Sequence, residues 1–258
     1  DGADHGGGDA GTKVNTHDKG INQVEIHCAG GGHGLKDTDH GGGTLDDNGE
    51  DKAGDDAEQL ALKGYNLYLV DILDTVSGVA EQIEQTHHVK CIAKCMSLAE
   101  VDAAERLHSE TVAEGYVFDV VINNAGIFSH CDILTTPTER IERIILLHDL
   151  TLTMMCRLYG EDMLKRGKGY ILNMSSYSIW MPFPGLALYS ASKAYVKSFT
   201  EAFNKELRRT GVSATAICPA GIATDLYGLS KNLQQFGLKT GILMSPQSCA
   251  RRGLRAMF

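Results

Sequence analysis

Tyr189 and Lys193 stand four residues apart in the segment ALYSASKAYVK, separated by small residues. Residues i and i+4 of a helix share one face, so a phenol and an ammonium group would lie side by side there. A free phenol has a pKa of about 10, and a nearby cation favours the phenolate form. With the hydroxyl of Ser176 holding a substrate oxygen, the pair could protonate a carbonyl as hydride arrives, or remove an alcohol's proton in reverse. A solvated helix with a chance Tyr/Lys pair is the alternative.

The segments that would position these residues alternate between apolar strands and helices. Strand patterns occupy 66–70, 89–94, 116–126, 169–176 and 213–221, and helical patterns occupy 75–85, 101–114, 141–165 and 189–209. This alternation predicts an α/β fold, a doubly wound parallel sheet (Rossmann-like) with helices on both faces, in a single domain. Ligands of such sheets bind at the carboxyl ends of the strands. Asp71, residues 123–126, Ser176 and residues 219–221 fall at those ends.

Length, charge and cysteine spacing limit the classes of function. The 258 residues suit one large domain, and a net charge of −9 argues against nucleic acid as the main partner. No apolar run approaches the roughly 18 residues of a membrane span, and the N-terminal residues lack a signal-peptide pattern. Seven scattered cysteines fit no disulfide or zinc spacing. We therefore predict a cytoplasmic protein with no metal site.

Composition divides the chain near Asp56. Residues 1–56 carry 13 Asp and Glu against 4 Lys, 15 of the 29 glycines and no aromatic residue, whereas residues 57–258 carry 20 acidic and 20 basic residues. The first segment could hardly bury a core by itself. We expect this atypical Gly/Asp/His-rich segment to supply the first strand and the cofactor loop. Residues 57–258 are expected to form the catalytic domain, which looks short at its C-terminus.

Four motifs occur in a fixed order: NNAG at 123–126, the Ser-Ser strand end at 175–176, Y-x-x-x-K thirteen residues after Ser176, and CPAGIAT at 218–224. Over residues 57–250 this set resembles the short-chain dehydrogenase/reductase family. The resemblance implies an oxidoreductase that transfers hydride between NAD(P)(H) and the carbonyl or secondary alcohol of a small molecule. For NNAG alone, a plain Asn/Gly turn is the alternative.

The resemblance also implies a role for each matching residue. Tyr189 would be the general acid/base, Lys193 would lower its pKa and bind the nicotinamide ribose, and Ser176 would orient the substrate carbonyl. The cofactor would further be lined by Asn123, Ala125, Gly126, Pro219, Gly221, Ile222 and Thr224. The long helices at 139–165 and 189–209 resemble those through which the family forms homodimers or homotetramers.

Asp71 ends the second strand pattern. A carboxylate there would accept hydrogen bonds from the adenine-ribose hydroxyls of NAD and repel the 2′-phosphate of NADP. No Arg or Lys follows within DILDTVSG to favour that phosphate. NAD is therefore the expected cofactor ahead of NADP, and a helix N-cap or loop aspartate is the alternative for Asp71.

Two of the departures from the family pattern concern the cofactor loop and the lysine's neighbour. The glycine-rich turn expected about 20 residues before Asp71 is missing, and the best local match is VEIHCAGGGHG with Gly30, Gly32 and Gly34, about twice as far away. An insertion, a damaged cofactor site or an error in the upstream sequence would each give this pattern. The family also has an asparagine in the long helix before the serine strand. By spacing, Asp149 stands there, either as a weaker partner of the lysine and its relay water or as a solvent-facing side chain.

The substrate region is apolar and aromatic. Phe128, Trp180 and Phe183 would line it together with Ser176 and Tyr189, which suits a hydrophobic carbonyl or alcohol. Packing of Trp180 and Phe183 in the core or at a subunit interface is the alternative. Two other functions stay open at this point. One is a catalytically silent binding or scaffold protein with a degraded nucleotide site, and the other is an NAD-sensing regulator without turnover.

Overall fold

The structure is a computed structural model that describes residues 23–27, 52–181, 183–223 and 230–258. Its strands form one sheet in which every neighbouring pair runs parallel. They are β1 (Gln23–His27), β2 (Asn66–Asp71), β3 (Cys91–Cys95), β4 (Val120–Asn123), β5 (Gly169–Met174) and β6 (Val212–Ile217). The order across the sheet is β3-β2-β1-β4-β5-β6. This order confirms the predicted doubly wound, Rossmann-like fold.

Helices cover both faces of the sheet. They are α1 (Lys52–Ala61), α2 (Val76–His87), α3 (Ala103–Ala113), α4 (Thr138–Ile145), α5 (Leu152–Arg166), α6 (Ala187–Glu206), α7 (Lys231–Thr240) and α8 (Pro246–Met257). One apolar layer lies between the sheet and helices α1, α2 and α8, and a second lies between the sheet and helices α3, α5 and α6. Among the described residues, no helix is both long enough and apolar enough to cross a bilayer.

Strand β2 explains why the apolar strands read as continuous runs. Leu67 and Leu69 pack into the first layer, whereas Tyr68 and Val70 pack into the second. Successive side chains of a strand point to opposite faces, so a strand covered on both faces needs apolar residues at every position. The two layers therefore fix the sheet in the middle of the domain.

The helical pattern predicted over 141–165 contains a change of helical geometry. Helix α4 runs into a π-helical turn, Leu146–Thr151, before α5 continues. Single π-helical turns inside α-helices occur frequently at functional sites. This turn carries His148 and Asp149.

Strand β1 lies between β2 and β4, so the connections on its two sides lead away from each other. Parallel sheets of this order have a crevice beyond the carboxyl ends of the strands at that point. Asp71 ends β2, Asn123 ends β4, and Met174 ends β5 two residues before Ser176. The sheet thus brings the predicted site residues to one edge.

Candidate active site

Helix α6 holds Tyr189 and Lys193 against the carboxyl end of β5. Both side chains are buried, and the Lys193 Nζ atom lies 5.9 Å from the centroid of the Tyr189 ring. The ammonium donates a hydrogen bond to the backbone carbonyl of Met174 (3.0 Å), and the Ser175 hydroxyl donates one to the backbone carbonyl of Lys193 (2.7 Å). These two bonds set the position of the Tyr189/Lys193 pair relative to the strand end that continues into Ser176.

Ser176 leaves β5 in an extended conformation and is buried. Its Oγ atom accepts a hydrogen bond from the Ser178 N–H (3.2 Å) and so begins the 3-10 helix Tyr177–Trp180. The Tyr177 N–H donates to the carbonyl of Pro219 (2.8 Å), which joins this turn to the segment after β6. The serine hydroxyl is thereby held at the same edge as the α6 pair.

Burial shifts the ionisation of Lys193 and Asp149. Desolvation lowers the pKa of the Lys193 ammonium to about 8, and the negative charge of Asp149 opposes that shift. Desolvation raises the pKa of Asp149 to about 6, and the charge of Lys193 opposes it in turn. Asp149 Oδ1 is buried without a hydrogen-bond partner within the described part of the chain. The two residues therefore act on each other through charge.

His148, which the sequence analysis did not single out, lies inside the site. Its Nε2 atom accepts a hydrogen bond from the Ile127 N–H (2.9 Å), and its Nδ1 atom lies 2.8 Å from the Ser192 hydroxyl. The Ser192 hydroxyl donates to the backbone carbonyl of Tyr189 (2.9 Å). Because Nε2 accepts, the neutral ring carries its proton on Nδ1. Desolvation and then the charge of Lys193 hold the pKa of His148 well below its usual range.

Asn123 belongs to a buried amide network behind the crevice. Its Nδ2 atom donates to Asn173 Oδ1 (2.7 Å), and Asn173 Nδ2 donates to the Thr200 hydroxyl (2.9 Å). The Thr200 hydroxyl donates to the backbone carbonyl of Val196 (2.6 Å). These bonds join the ends of β4 and β5 to α6. Each donor named here has an acceptor, as buried polar groups generally do.

Asp71 lies buried at the carboxyl end of β2. Its Oδ1 atom accepts a hydrogen bond from the Leu73 N–H (2.9 Å), and its backbone carbonyl accepts one from the Met96 N–H (2.7 Å). The residue that caps α2 is Thr75, so the helix N-cap alternative for Asp71 is wrong. In dinucleotide-binding folds of this kind, a carboxylate at this strand end binds the hydroxyls of the adenine ribose.

Two glycines of the predicted cofactor lining lie close to neighbouring side chains. A Cβ atom on Gly126 would lie 3.1 Å from His148 Nε2 and 3.3 Å from Lys193 Nζ. A Cβ atom on Gly221 would lie 2.5 Å from a methyl carbon of Leu243. Gly221 accepts a hydrogen bond from the Met244 N–H (2.9 Å), and Ile222 pairs with Met244 in a short parallel bridge.

The remaining predicted lining residues divide into two groups. Ala125 is partly buried against the second apolar layer, and Pro219 receives the hydrogen bond from Tyr177. Gly30, Gly32, Gly34 and Thr224 lie outside the described residues. Within the described ranges, no group of three or more His, Cys, Asp or Glu side chains is placed to hold a metal ion.

Aromatic side chains occur beside the Tyr189 phenol and on the exposed segment between Ser176 and α6. The Phe128 ring meets the Tyr189 ring edge to face, with centroids 5.1 Å apart. Trp180 and Phe183 are 54% and 55% exposed, so the alternative that they pack in the core is wrong. Trp180 contacts Tyr177, with ring centroids 5.4 Å apart.

A protein-family model establishes the family of the chain. The model of the family described as short chain dehydrogenase matches residues 55–234, which is 180 of the 258 residues. The chain belongs to the short-chain dehydrogenase family. The matched range of this short-chain dehydrogenase contains β2 to β6 and the Ser176, Tyr189 and Lys193 positions. The family predicted from the four ordered motifs is therefore confirmed.

Individual proteins similar to this short-chain dehydrogenase have oxidoreductase names. "Probable oxidoreductase EphD" of Mycobacterium tuberculosis is 31% identical over 169 residues, which cover 65% of this chain and 28% of that protein. The very-long-chain 3-oxoacyl-CoA reductase of Mus musculus is 28% identical over 180 residues, which cover 68% of this chain and 57% of that protein. The chain thus spans less than two thirds of the length of either relative.

A solved structure of a short-chain dehydrogenase from Sphingobium yanoikuyae in complex with NADPH has the same fold. It matches with a TM-score of 0.72 at 21% identity, covering 91% of this chain and 83% of that one. At this identity the likeness establishes the architecture, and the chemistry must be argued from the site itself.

Proposed function

We propose that this short-chain dehydrogenase is an NAD(P)(H)-dependent oxidoreductase that interconverts a carbonyl group and a secondary alcohol. The observation that carries the proposal is the burial of Tyr189 and Lys193 side by side at the strand end that continues into Ser176. A buried ammonium group is costly, and an apolar residue at position 193 would leave the fold at least as stable. A buried, strongly perturbed lysine next to a phenol at a ligand-binding edge is typical of an active site.

The chemistry of the proposal balances in both directions. In reduction, Tyr189 donates its phenolic proton to the carbonyl oxygen, and the Ser176 hydroxyl donates a hydrogen bond to the same oxygen. A bound nicotinamide supplies the hydride, with its two electrons, to the carbonyl carbon. The positive charge of Lys193 stabilises the Tyr189 phenolate until solvent returns a proton. In oxidation the phenolate takes the alcohol's proton, and a bound oxidised nicotinamide would accept the hydride.

The residues at the crevice fit a dinucleotide. Lys193 would hold the nicotinamide ribose, while Gly126 leaves room for the His148 and Lys193 side chains and Gly221 leaves room for Leu243. The buried carboxylate of Asp71 would hold the adenine ribose and favours NAD over NADP, because a 2′-phosphate beside it would be repelled. A glycine-rich loop at Gly30, Gly32 and Gly34, and a Thr224 contact, remain predictions for residues that the structure does not describe.

The substrate is proposed to be hydrophobic. Phe128 lies against the Tyr189 ring, and Trp180 and Phe183 expose aromatic surface on the segment between Ser176 and α6. Aromatic surface beside a reaction centre suits a lipophilic ketone or alcohol. The similarity to a very-long-chain 3-oxoacyl-CoA reductase agrees with this class.

We also expect the chain to act as a homodimer or homotetramer in a reducing cytoplasm. Helices α4 to α6 expose the apolar side chains of Ile145, Leu150 and Tyr195 to solvent. Apolar side chains on neighbouring long helices favour burial against a second copy. The six cysteines in the described part of the chain form no disulfide with one another, which suits a reducing compartment. Light scattering after size-exclusion chromatography measures the assembly directly.

The test of the proposed function compares two tyrosines on α6. Tyr189→Phe removes the phenol at the site, and Tyr195→Phe removes an exposed hydroxyl that bonds Thr153 on α5. NADH and NADPH are titrated by fluorescence, and the wild-type chain is screened for reduction of lipophilic ketones. We expect Tyr189→Phe to lower kcat by roughly 10²- to 10⁴-fold with unchanged NADH affinity, whereas Tyr195→Phe keeps wild-type kcat.

The titration and the kinetics separate the competing functions. Dinucleotide binding without turnover on any carbonyl would favour an NAD-sensing regulator. Absence of binding to either dinucleotide would favour a scaffold protein and reject the enzyme. Equal kcat in Tyr189→Phe and wild type would reject Tyr189 as the general acid/base.

A further inference from the structure

We infer that His148 is a positioning residue, which in its neutral form with the proton on Nδ1 holds Tyr189 and Lys193 in place relative to the turn after β4. The kinetic test of this inference rests on the proposed function. The structural test, by hydrogen exchange, does not depend on it. The His148 bridge is the hydrogen-bonded series that runs from the Ile127 N–H through His148 and the Ser192 hydroxyl to the Tyr189 carbonyl.

The His148 bridge joins three segments that are far apart in the sequence. Ile127 belongs to the turn after β4, His148 to the π-helical turn, and Ser192 to α6. The three contacts measure 2.9, 2.8 and 2.9 Å. Each donor meets one acceptor, so the series has a single direction, from the Ile127 amide to the Tyr189 carbonyl.

The bridge ends at the residue that needs an exact orientation. In an α-helix the carbonyl of residue i accepts the N–H of residue i+4, so the Tyr189 carbonyl belongs to the same helical turn as Lys193. A second hydrogen bond to that carbonyl, from Ser192, restrains the rotation of this turn. The His148 ring also lies edge to face with the Tyr189 ring, with centroids 6.1 Å apart.

The His148 and Lys193 side chains both lie close to the backbone at Gly126. A Cβ atom at Gly126 would lie 3.1 Å from His148 Nε2 and 3.3 Å from Lys193 Nζ. The imidazole and the ammonium therefore rest against the same glycine. Displacing the ring would change the space that this turn leaves for Lys193.

Only the neutral ring completes the bridge. A proton on Nε2 would face the Ile127 N–H, so two donors would meet and neither would be satisfied. The charged or titratable groups beside the ring include Lys193 and Tyr189 on α6, and Asp149 is the next residue of the same π-helical turn. Burial and the positive charge of Lys193 keep the ring neutral. His148 therefore holds atoms in place and does not carry the reaction's proton.

The kinetic test uses variants that remove the bridge in different ways. His148→Phe keeps a planar ring without either hydrogen bond. His148→Gln keeps an amide oxygen near the place of Nε2, and Ser192→Ala removes the middle link. The matched control is His108→Phe, which removes a partly buried imidazole that lies 2.7 Å from Asp162, between α3 and α5.

Misplacement of a catalytic group by about 1 Å can cost roughly 100-fold in rate. We therefore expect kcat to fall about 10- to 100-fold in His148→Phe, with NADH affinity within error of wild type. His148→Gln should recover much of that loss. The His148→Phe/Ser192→Ala double variant should be no slower than the slower single variant, because both changes break one series. His108→Phe should keep wild-type kcat at the same or lower melting temperature.

The structural test does not depend on turnover. Hydrogen exchange of the Ile127 amide, followed by NMR, should be slow in wild type and His148→Gln and fast in His148→Phe. If no carbonyl compound is reduced by wild type, the proposed function fails, and the exchange rate still decides the bridge. Slow Ile127 exchange in His148→Phe would overturn the inference. So would a kcat loss that follows the melting temperature in all variants, including His108→Phe and His148→Gln.

Discussion

Replacing Lys193 by methionine should leave the fold at least as stable at neutral pH, remove a pH dependence of its stability, and abolish activity. Methionine fills a similar volume without a charge, so the variant avoids burying the ammonium. The folded-state pKa of Lys193 is about 8, against 10.5 for an unperturbed lysine, and desolvation is the main cause. A difference of this size corresponds to about 3 kcal/mol at 1.36 kcal/mol per pKa unit.

The sign of the pH dependence follows from the direction of the shift. The folded-state pKa is lowered, so between about pH 8 and pH 10.5 the unfolded state binds the proton that the folded state has released. The unfolding free energy of the wild type therefore rises with pH in this window, relative to Lys193→Met. At pH 7 both states are protonated, and the full cost of burial is present. The lost hydrogen bond to Met174 offsets about 1.5–3 kcal/mol of the variant's gain, so the variant's net gain at pH 7 lies between about zero and 1.5 kcal/mol.

Urea denaturation of both proteins at pH 7, 8, 9 and 10 measures this effect. The stability difference between wild type and Lys193→Met should shift in favour of the wild type by about 2–3 kcal/mol over that range. Lys197→Met is the matched control, because Lys197 pairs with Glu201 at the surface of the same helix (2.6 Å). A pH-independent difference for Lys193→Met, parallel to that of the control, would refute the burial argument.

Two further predictions concern the carboxylates. Asp71→Ala should weaken NADH binding about tenfold, from the loss of roughly 1.4 kcal/mol, and leave NADPH binding unchanged or tighter in fluorescence titration. An equal loss for both dinucleotides would reject Asp71 as the selector. Asp149→Asn removes the charge that raises the pKa of Lys193, so the alkaline limb of the kcat profile should move to lower pH. The variant should also raise kcat at pH 6 if the carboxylate slows the lysine's proton relay, and an unchanged profile would contradict both effects.

Most of the fold could be predicted because its strands are buried on both faces. Strand β2 is an apolar run whose ends fall within one residue of its predicted pattern at 66–70, whereas β4 covers only Val120–Asn123 of the pattern predicted at 116–126. The end of α2 is harder, because His88 closes it in the left-handed conformation (φ 57°) where glycine is the usual signal. Because histidine is not a usual signal for the end of a helix, the boundary between α2 and β3 is hard to place. The sequence pattern begins at residue 89, two residues before the observed start of β3 at Cys91.

The site residues at strand ends could be predicted for the same reason. Asp71 ends β2 and Ser176 follows β5, so the parallel sheet brings both residues to one edge. The exposure of Trp180 and Phe183 could not be read from the sequence, because an apolar aromatic residue after a strand suits a core and a ligand-binding rim equally well. Only the packing of the following 3-10 turn distinguishes these cases.

The position of His148 among buried residues of the helix could have identified it as a site residue, whereas its spacing from Ser176 did not. Counting back from Ser176 selected Asp149, because spacing alone does not record which face of the helix a residue occupies. His148 stands four residues after the buried Ile144 and four before the buried Leu152, so it lies on the apolar stripe that continues through Met155. A polar side chain on such a stripe needs an internal partner, since an unpaired buried polar group is costly. That requirement points to the turn after β4 and to α6, where the partners Ile127 and Ser192 are found. Asp149 is one position further round the helix and interacts with Lys193 through charge. We therefore assign the positioning of the site to His148 and the electrostatic effect on Lys193 to its neighbour Asp149.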